Sequence, residues 1–488
     1  MQYLIFTLYI LAMTGILAYC LLQLSLAMKY IKSKRKPEKQ PKRPRKFPMV
    51  TVQLPIFNEL YVVDRLLNAV AALDYPSDKL EIQILDDSTD ETQDRLKNIA
   101  SELKSKGLDV VYLHRFERSG FKAGALQEGL KLAKGEFIAI FDADFIPHPD
   151  FLQKTIPWFA DEEIGVVQTR WLHINKDFSL LTKIQALAID VHFTIEQRGR
   201  NSSGYFINFN GTAGVWRKIC IEDAGGWSAE TLTEDLDLSY RAQLKGWKFK
   251  YLENVGTPAE LPAEIHGYKS QQYRWNKGGA ETARKIIPRL IRSNSRKSQK
   301  LHGIVHLLNS SVYLFILSAA VLSVPMLWVA ESLFSRSFYL YLSIFLVATI
   351  ATSIVFFIAL YSTIDNKKGA LPYYLRLFPL FLSVNLGLSW HNARAVINGL
   401  QGKRTPFIRT PKFNIITKSD DWKKKKYRVG KLDLNTVMEG LFTLYFLAGI
   451  ALGIYYGDYG MMLIHLMAAF GFATIFYHSV LQKWLLRS

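Results

Sequence analysis

The clearest chemical signal in this sequence is a pair of aspartates, Asp142 and Asp144, which follows the apolar run Phe137–Phe141. A short apolar run of this kind predicts a buried strand, so the two carboxylates emerge where the strand opens into a loop. Two hard oxygen ligands two residues apart can hold a divalent cation together with diphosphate oxygens and water. Such a cation neutralises charge on a departing nucleotide diphosphate. The alternative is that these aspartates only cap the loop.

A second acidic group, Thr233-Glu234-Asp235, opens a predicted helix over Leu236–Lys245. A carboxylate fixed at a helix start can act as a general base and remove the proton of an attacking sugar hydroxyl. We assign this role to Asp235 and expect Asp237 to lie on the ordinary helix surface. An N-terminal cap, with acids favoured by the helix dipole, is an alternative that is compatible with the first interpretation.

The segment Gln271-Gln272-Tyr273-Arg274-Trp275 combines a cation with an aromatic ring. Arg274 can pair with a diphosphate, and Trp275 can stack on the C–H face of a sugar. Taken alone, the segment is more typical of an interfacial helix with tryptophan and cations at the level of lipid headgroups.

Two glycine-containing turns are further candidates. The turn Arg118–Gly124 can approach a phosphate closely through its backbone, and Lys122 supplies a charge there. Residues Phe209, Gly211 and Thr212 belong to a turn that can bind the acceptor, with an ordinary loop as the alternative. The sequence lacks P-loop spacing, an HExxH zinc motif and a GxSxG nucleophile elbow, which argues against an ATPase, a zinc enzyme and a serine hydrolase.

Short apolar runs alternate with segments of helical spacing between Pro48 and about Ile291. The predicted strands are Met49–Phe57, Leu80–Leu85, Val110–Leu113 and Phe137–Phe141. The predicted helices between them are Leu60–Leu73, Thr89–Lys106 and Ala123–Ala133. This alternation predicts an α/β domain with a mostly parallel sheet covered on both faces.

Three of the predicted strands end in acidic or amide groups: Asn58-Glu59, Asp86-Asp87 and Asp142 with Asp144. In parallel sheets, ligands bind outside the carboxyl ends of the strands. We therefore expect these side chains to meet at one edge of the sheet.

The ends of the chain are apolar. Residues Tyr3–Met28 would form a helix about 39 Å long, which is enough to cross a bilayer. Ten Lys or Arg residues and one acid follow between Lys29 and Lys46, so the positive-inside rule places this flank in the cytosol. Four further segments are apolar enough to span: Ile304–Ala330, Phe338–Tyr361, Val437–Tyr456 and Met461–Leu481.

A sixth segment, Tyr374–Val396, contains polar groups that are costly when they face lipid. The loop after it, Gln401–Leu432, carries eleven Lys or Arg residues and two acids. If the segment crossed the membrane, this basic loop would lie outside the cytosol. We therefore prefer a re-entrant or interfacial element, with a full span as the alternative.

The net charge of +19 lies largely in the basic flanks of these segments, which suit anionic lipid headgroups and require no nucleic-acid partner. The two cysteines, Cys20 and Cys220, predict neither a disulfide framework nor a metal cluster.

Four of these motifs occur in a recognisable order: Asp87, Asp142-Ala143-Asp144, Thr233-Glu234-Asp235 and Gln271–Trp275. They follow the D, DxD, TED and QxxRW motifs of processive family-2 glycosyltransferases. The chain resembles the cellulose-synthase-like members, notably the plant A and C groups (glucomannan mannosyltransferase and β-1,4-glucan synthase) and bacterial relatives. The resemblance implies a cytosolic GT-A domain, the nucleotide-diphospho-sugar transferase fold, between an N-terminal transmembrane helix and a C-terminal transmembrane bundle.

The resemblance also implies roles for individual residues. Asn58, Glu59 and Asp87 would hold the nucleoside of a nucleotide-sugar, and Lys122 would lie near its phosphates. Asp142 and Asp144 would hold Mg²⁺ or Mn²⁺ with the diphosphate, and Asp235 would be the general base. The acceptor sugar and channel mouth would be bordered by Thr233, Glu234, Gln271, Arg274, Trp275, Phe209, Gly211 and Thr212.

A basic stretch with Phe407, Thr410 and Lys412 is similar to the FxVTxK gating segment of cellulose and hyaluronan synthases, which closes over bound nucleotide. Arg409 stands where that motif has valine, so a plain basic loop remains the alternative.

With this segment, the expected organisation is a transmembrane helix (1–28), a basic cytosolic linker (29–47), the GT-A domain (48–266), interfacial helices (267–300), a transmembrane or re-entrant region (301–397), the gating-type loop (398–433) and two transmembrane helices (434–484).

The implied activity is inverting transfer from a nucleotide-sugar of the UDP-glucose or GDP-mannose class. The product would be a β-linked, expectedly β-1,4-linked, polysaccharide made at a lipid bilayer on a growing glycan acceptor. One alternative is transfer of a single sugar to a lipid, and another is a non-catalytic membrane protein. The expected location is a bacterial inner membrane with a cytosolic active site, with a Golgi membrane as the alternative.

Overall fold

The computed structural model describes residues 1–35, 41, 46–333, 345–405, 408–423, 425–427 and 433–485. Phe407 of the predicted gating segment lies outside these residues.

A seven-stranded sheet forms the centre of the soluble part of the chain. Its strands are β1 (Val50–Ile56), β2 (Leu80–Asp86), β3 (Asp109–His114), β4 (Phe137–Ile140), β5 (Ile164–His173), β6 (Gly214–Arg217) and β7 (Lys248–Ala259). They lie in the order β3-β2-β1-β4-β6-β5-β7. Strands β1 to β4 pair in parallel, as do β5 and β7, whereas β6 runs antiparallel to β4 and β5. The predicted α/β fold with a mostly parallel sheet is confirmed.

The register explains why the acidic strand ends meet. Ile56 of β1 pairs with Asp86 of β2, and Gln53 of β1 pairs with Ile140 of β4, so the three strands end side by side. Because β6 is antiparallel to β4, the residues before β6 reach the same edge. The hydroxyl of Thr212 there accepts a 2.9 Å hydrogen bond from the backbone N–H of Asp142.

Helices cover both faces of the sheet, and two separate hydrophobic clusters fill the space beneath them. The helices of this part are α2 (Val63–Ala71), α3 (Thr92–Ser105), α4 (Phe121–Leu132), α5 (Phe151–Thr155), α6 (Leu180–Val191), α7 (Arg198–Ser202), α8 (Lys218–Asp223) and α9 (Glu234–Leu244). The pattern of apolar residues predicted α2, α3, α4 and α9 to within a few residues, because each of these helices buries one apolar stripe.

The remaining helices lie outside this domain. They are α1 (Gln2–Lys34), α10 (Ile265–Arg292), α11 (Lys297–Leu307), α12 (Val312–Leu333), α13 (Leu346–Thr363), α14 (Ala370–Leu400), α15 (Leu434–Tyr456) and α16 (Met462–Leu485). Among the described residues, five helical segments are long and apolar enough to cross a membrane, in α1, α12, α13, α15 and α16. The chain is a multi-pass membrane protein.

The ambiguous sixth segment forms one unbroken helix of 31 residues, α14. Phe378 and Phe381 in its first half share a hydrophobic cluster with Ile184 of α6. Near its end, Gly399 packs closely against the backbone of Lys277 in α10. Gly387 in the middle of α14 also packs closely against the backbone of Gly471 in α16, a membrane helix, so the re-entrant or interfacial form stays a prediction.

Candidate active site

One pocket at the carboxyl edge of the sheet brings most of the predicted site residues together. Its lining includes Glu59, Asp87, Lys122, Asp142, Asp144, Gly211, Thr233, Glu234, Asp235, Gln271, Arg274, Trp275, Thr410 and Lys412. These residues come from eight separate stretches of the chain, so their convergence is a property of the fold and not of local sequence.

The two aspartates after β4 are each held by a lysine. Lys122 Nζ contacts Asp142 Oδ1 and donates a 2.8 Å hydrogen bond to the carbonyl of Gly211. Lys412 Nζ lies 2.8 Å from Asp144 Oδ2. Burial raises the pKa of the Asp142 carboxyl, and the charge of Lys122 opposes this shift. The edge therefore concentrates negative charge that is balanced by two ammonium groups.

The carboxylates of Glu234 and Asp235 stand together at the start of α9. Burial and the neighbouring charge of Glu234 raise the pKa of Asp235 to about 7, while Lys122 lowers it. Burial likewise raises the pKa of Glu234. Asp235 Oδ1 accepts a 2.8 Å hydrogen bond from the backbone N–H of Leu236, which fixes its orientation. A carboxyl group of this kind changes protonation near neutral pH, as a general base must.

Gly211 gives Asp235 access to the pocket. Its φ of +79° is unfavourable for other residues, and a Cβ there would lie 3.2 Å from Asp235 Oδ2 and 3.4 Å from Lys122 Nζ. The backbone of this turn thus passes close to the acid of α9 and the lysine of α4, and a side chain at this position would crowd the Asp235 carboxylate.

Asp87 forms a bidentate ion pair with Arg115. Arg115 donates hydrogen bonds of 2.7 and 2.6 Å to its two carboxylate oxygens. The guanidinium of Arg118 lies 3.6 Å from the same carboxylate and 3.4 Å from the ring centroid of Phe57. This corner joins an aromatic ring, a carboxylate and two cations, which can together bind a nucleoside.

The predicted gating segment folds into the pocket. Thr410 accepts a 2.7 Å hydrogen bond from Arg274 of the Gln271–Trp275 motif. Arg409, the departure from the motif, pairs with Glu59 at 2.8 Å and donates a 3.0 Å hydrogen bond to the carbonyl of Phe57. The segment therefore contacts the pocket through Thr410, which matches the gating motif, and through Arg409, which departs from it.

The sequence match to known proteins covers the same part of the chain. Residues 48–278 match the model described as glycosyltransferase like family 2. This segment is a family-2 glycosyltransferase domain.

Two plant relatives extend the comparison of the family-2 domain. Glucomannan 4-beta-mannosyltransferase 1 of Oryza sativa subsp. japonica is 45% identical over 252 residues, which cover 51% of this chain and 48% of the relative. Glucomannan 4-beta-mannosyltransferase 9 of Arabidopsis thaliana is 41% identical over 292 residues, which cover 57% of this chain and 55% of the relative. The chain thus matches about half the length of these relatives.

The fold of the family-2 domain also occurs among solved structures. The mannosyltransferase PcManGT from Pyrobaculum calidifontis, solved with GDP-Man and Mn²⁺, superposes with a TM-score of 0.56 at 20% identity. The superposition covers 82% of this chain and all of that one. At this identity the likeness shows the fold alone, and the predicted GT-A architecture is confirmed.

Three predicted site residues of the family-2 domain do not line the pocket. The ring of Phe209 is fully buried and packs edge-on against Trp216, so its assignment to the acceptor surface is wrong. Thr212 is also buried, and it supports the Asp142 backbone. Asn58 turns away in a left-handed conformation, where its amide oxygen accepts a 2.8 Å hydrogen bond from the N–H of Thr89.

Asp237 of α9 also departs from the prediction of an exposed position. Its side chain is completely buried; Oδ2 accepts a 2.9 Å hydrogen bond from Arg241, and Lys285 lies 3.0 Å from Oδ1. The helix packs against α10 on this side, which the sequence of α9 alone does not reveal.

Sequence reasoning missed two further residues of the family-2 domain: Glu260, which lines the pocket, and Arg115, which lies behind Asp87. Glu260 directly follows β7, and its carboxylate accepts a 2.8 Å hydrogen bond from the backbone N–H of Phe413 and pairs with Arg65 at 3.2 Å. Arg115 orients Asp87 as described above. The sequence feature that could have identified Glu260 is its position, because it is another acid at the end of a strand.

Proposed function

We propose that this protein is an inverting, metal-dependent glycosyltransferase that adds hexosyl units, mannose first among the candidates, to a β-1,4-linked polysaccharide at the membrane. The observation that carries the proposal is the meeting of Asp142, Asp144 and Asp235 in one pocket with three cations, Lys122, Arg274 and Lys412. Mannosyl transfer is favoured over glucosyl transfer because both plant relatives described above are named as mannosyltransferases.

The two carboxylates after β4 fit a divalent metal that also binds a diphosphate. Asp142 and Asp144 offer carboxylate oxygens from one strand end, and in the described part of the chain no third His, Cys, Asp or Glu joins them to form a protein-only metal site. This suits a cation that completes its coordination with phosphate and water oxygens, as Mg²⁺ and Mn²⁺ do. When bound, the metal would supply positive charge against the departing diphosphate.

The chain's own residues account for the remaining chemistry. Asp235 takes the proton of the acceptor hydroxyl, whose oxygen attacks the anomeric carbon from the side opposite the diphosphate. A single displacement inverts the anomeric configuration, so an α-linked donor gives a β-linked product. Lys122 and Arg274 stabilise the negative charge that develops on the leaving group, because both line the pocket and both interact electrostatically with Asp142.

Aromatic residues in the pocket lining suit an acceptor sugar. Trp171 and Trp275 both line the pocket, with ring centroids 6.4 Å apart, and their faces can pack on the C–H faces of successive sugar rings. Two aromatic rings, one for each of two sugar units, favour a growing glycan over a single lipid-linked sugar as acceptor.

The topology supports an active site on the cytosolic side, in a bacterial inner membrane or, as the alternative, a Golgi membrane. The basic end of α1 lies against the soluble domain, where Lys34 pairs with Glu253 at 3.0 Å. The positive-inside rule places this end, and hence the pocket, in the cytosol.

A donor panel tests the proposal. The purified full chain would be assayed with GDP-mannose, GDP-glucose, UDP-glucose and UDP-N-acetylglucosamine, with EDTA and with added Mg²⁺ or Mn²⁺. We expect nucleotide release with a mannosyl donor, loss of activity with EDTA and recovery with metal, and a 4-linked β-mannan by linkage analysis. A uniform one-sugar glycolipid would overturn the polymer assignment, and no transfer from any donor with metal present would overturn the enzyme assignment.

A further inference from the structure

A second cavity lies away from the active site, where the soluble domain meets the membrane helices. It is formed by the start of α6, the start of α10, the middle of α14 and the last turns of α16. Its walls are mostly apolar and include Leu181, Ile184, Val384, Ile475 and Leu481. None of the residues assigned to the glycosyltransferase pocket lines it.

Two charged residues, Glu264 and Lys423, line this cavity, and Glu264 lies within its apolar wall. Its side chain is 2% exposed, and neither carboxylate oxygen has a well-formed hydrogen bond to any described residue. Burial raises its pKa to about 8, and the backbone N–H of Gly267 offsets this only in part. A buried carboxylate is stable when donors satisfy its oxygens, so Glu264 is placed to bind a donor group supplied by a ligand in this cavity.

A buried donor lies in the same cavity. The side-chain nitrogen of Gln482 has no hydrogen-bond partner among the described residues, although the residue is 5% exposed. Its oxygen accepts a 3.4 Å hydrogen bond from the N–H of His266, two residues after Glu264, which places the two polar groups close together. The cavity thus offers acceptors and a donor side by side at one end of an apolar space.

The cavity lies at the level expected for lipid headgroups. Gln482 belongs to the last turns of α16, a membrane helix, and Leu180 at the start of α6 is 43% exposed. Helices α6 and α14 pack together through apolar side chains beside this helix. An occupant must therefore combine an apolar chain, which fits between these helices, with a polar head at Glu264.

We propose that this cavity binds a phospholipid with a primary ammonium headgroup, of the phosphatidylethanolamine class, with the ammonium on Glu264 and an acyl chain between α6, α14 and α16. An ammonium carries three donors and no acceptor, so it satisfies both carboxylate oxygens and restores their charge. The lipid phosphate accepts from the free amide hydrogen of Gln482. A choline headgroup has no N–H to donate, and an anionic glycerol headgroup meets the carboxylate with like charge, so both bind more weakly.

Lipid retention tests this proposal with the full chain. The purified protein would be reconstituted in nanodiscs with equal amounts of phosphatidylethanolamine, phosphatidylcholine and phosphatidylglycerol, extracted in detergent, and analysed for retained lipid by mass spectrometry. Wild-type protein should retain phosphatidylethanolamine about tenfold over the other two, and Glu264→Gln should remove this preference because the charged hydrogen bonds are lost. Asp177→Asn, which changes a 76%-exposed carboxylate on the neighbouring loop, serves as the matched control and should leave it unchanged.

A second variant separates loss of the site from a folding defect. Thr474→Phe fills the apolar part of the cavity without touching Glu264, so it should reduce retention of all three lipids while the thermal unfolding temperature stays near that of the wild type. Equal retention of the three lipids by the wild type, or an unchanged preference in Glu264→Gln, would overturn the proposal. Retention of a sugar chain in place of lipid would do the same and would assign the cavity to the product.

Discussion

The ammonium group of Lys412 lies 2.8 Å from Oδ2 of Asp144, which joins the basic loop after α14 to the acidic end of β4. The same ammonium also contacts the carbonyl of Glu260, and the next residue, Phe413, bonds to the Glu260 carboxylate. A segment that follows α14 is thereby bound to the edge of the sheet that we assign to the diphosphate. Removal or rearrangement of this one lysine should therefore change how the donor is held.

Replacement of Lys412 by methionine, which keeps the aliphatic chain and removes the charge, should raise the KM for the nucleotide-sugar about tenfold, the usual effect of one charge-assisted hydrogen bond. The check is a set of initial rates over a range of donor concentrations. Lys418→Met, in an exposed part of the same segment, is the matched control and should leave KM unchanged. An equal effect in both variants would show that only the net charge of the loop matters.

Asp235→Asn should abolish transfer, with a fall in kcat of about 10²-fold or more, because an amide cannot accept the hydroxyl proton. Binding of the nucleoside diphosphate, measured by calorimetry, should stay within a few-fold of the wild type, since the pairs around Asp87 are untouched. Retained transfer in this variant would remove Asp235 from the mechanism.

The pH profile gives a separate test of the same residue. The pKa of Asp235 is raised to about 7 by burial and then by Glu234, so the fraction able to accept a proton falls as the pH drops through neutrality. We expect kcat to decline on the acid side of pH 7. Glu234→Gln removes a charge that raises this pKa, so it should move the decline to lower pH, whereas Glu230→Gln, at an exposed position, should not. A decline at the same pH in all three proteins would assign it to another group.

Much of the site was predictable because strand ends share an edge. Asp87 and Asp142 each follow an apolar run, and parallel pairing with β1 brings both to one side whatever the loops do. The GT-A fold and the membrane segments were predictable for a similar reason, since they depend on patterns repeated over many residues. The order of the four motifs then indicated the resemblance to family-2 glycosyltransferases.

Other features depend on which way a side chain points, and a motif does not specify that. Phe209 and Gly211 are two residues apart, yet only Gly211 reaches the pocket, because the turn before β6 directs the aromatic ring into the core. Arg409 looked like a loss of the gating motif, but its guanidinium reaches Glu59, a partner 350 positions earlier in the chain. Such long-range pairs are set by the packing of the loop on the domain and have no local signal.

Arg115 should matter for donor binding although it does not line the pocket. It holds Asp87 through two hydrogen bonds and also donates to the carbonyls of Ser119 and Phe121, at the start of the helix that carries Lys122. Arg115→Ala leaves the nearly buried Asp87 carboxylate without this partner, so we expect a loss of about 3 kcal/mol in stability and weaker nucleotide binding.

The matched control for this prediction is Arg95→Ala. Arg95 also makes a two-pronged pair, with Asp64, but both side chains are about half exposed, so the loss should have little effect on stability or binding. Thermal unfolding and calorimetric titration with GDP and UDP would be compared for the two variants. Similar behaviour of both would mean that the Asp87 pair has no special role.

A last prediction compares Gly211 with Gly246 and separates the effect of backbone strain from that of steric crowding. Gly211 and Gly246 both have positive φ angles, +79° and +103°, so alanine at either should cost roughly 1 kcal/mol through backbone strain. An added Cβ at Gly246 meets nothing within 4 Å, whereas at Gly211 it lies 3.2 Å from Asp235 Oδ2 and 3.4 Å from Lys122 Nζ. Both variants should therefore unfold at slightly lower temperature, but only Gly211→Ala should lose activity, by about 10²-fold, because it displaces the base from its position. Equal activity in the two variants, with equal loss of stability, would show that Asp235 tolerates displacement and is not the group that takes the proton.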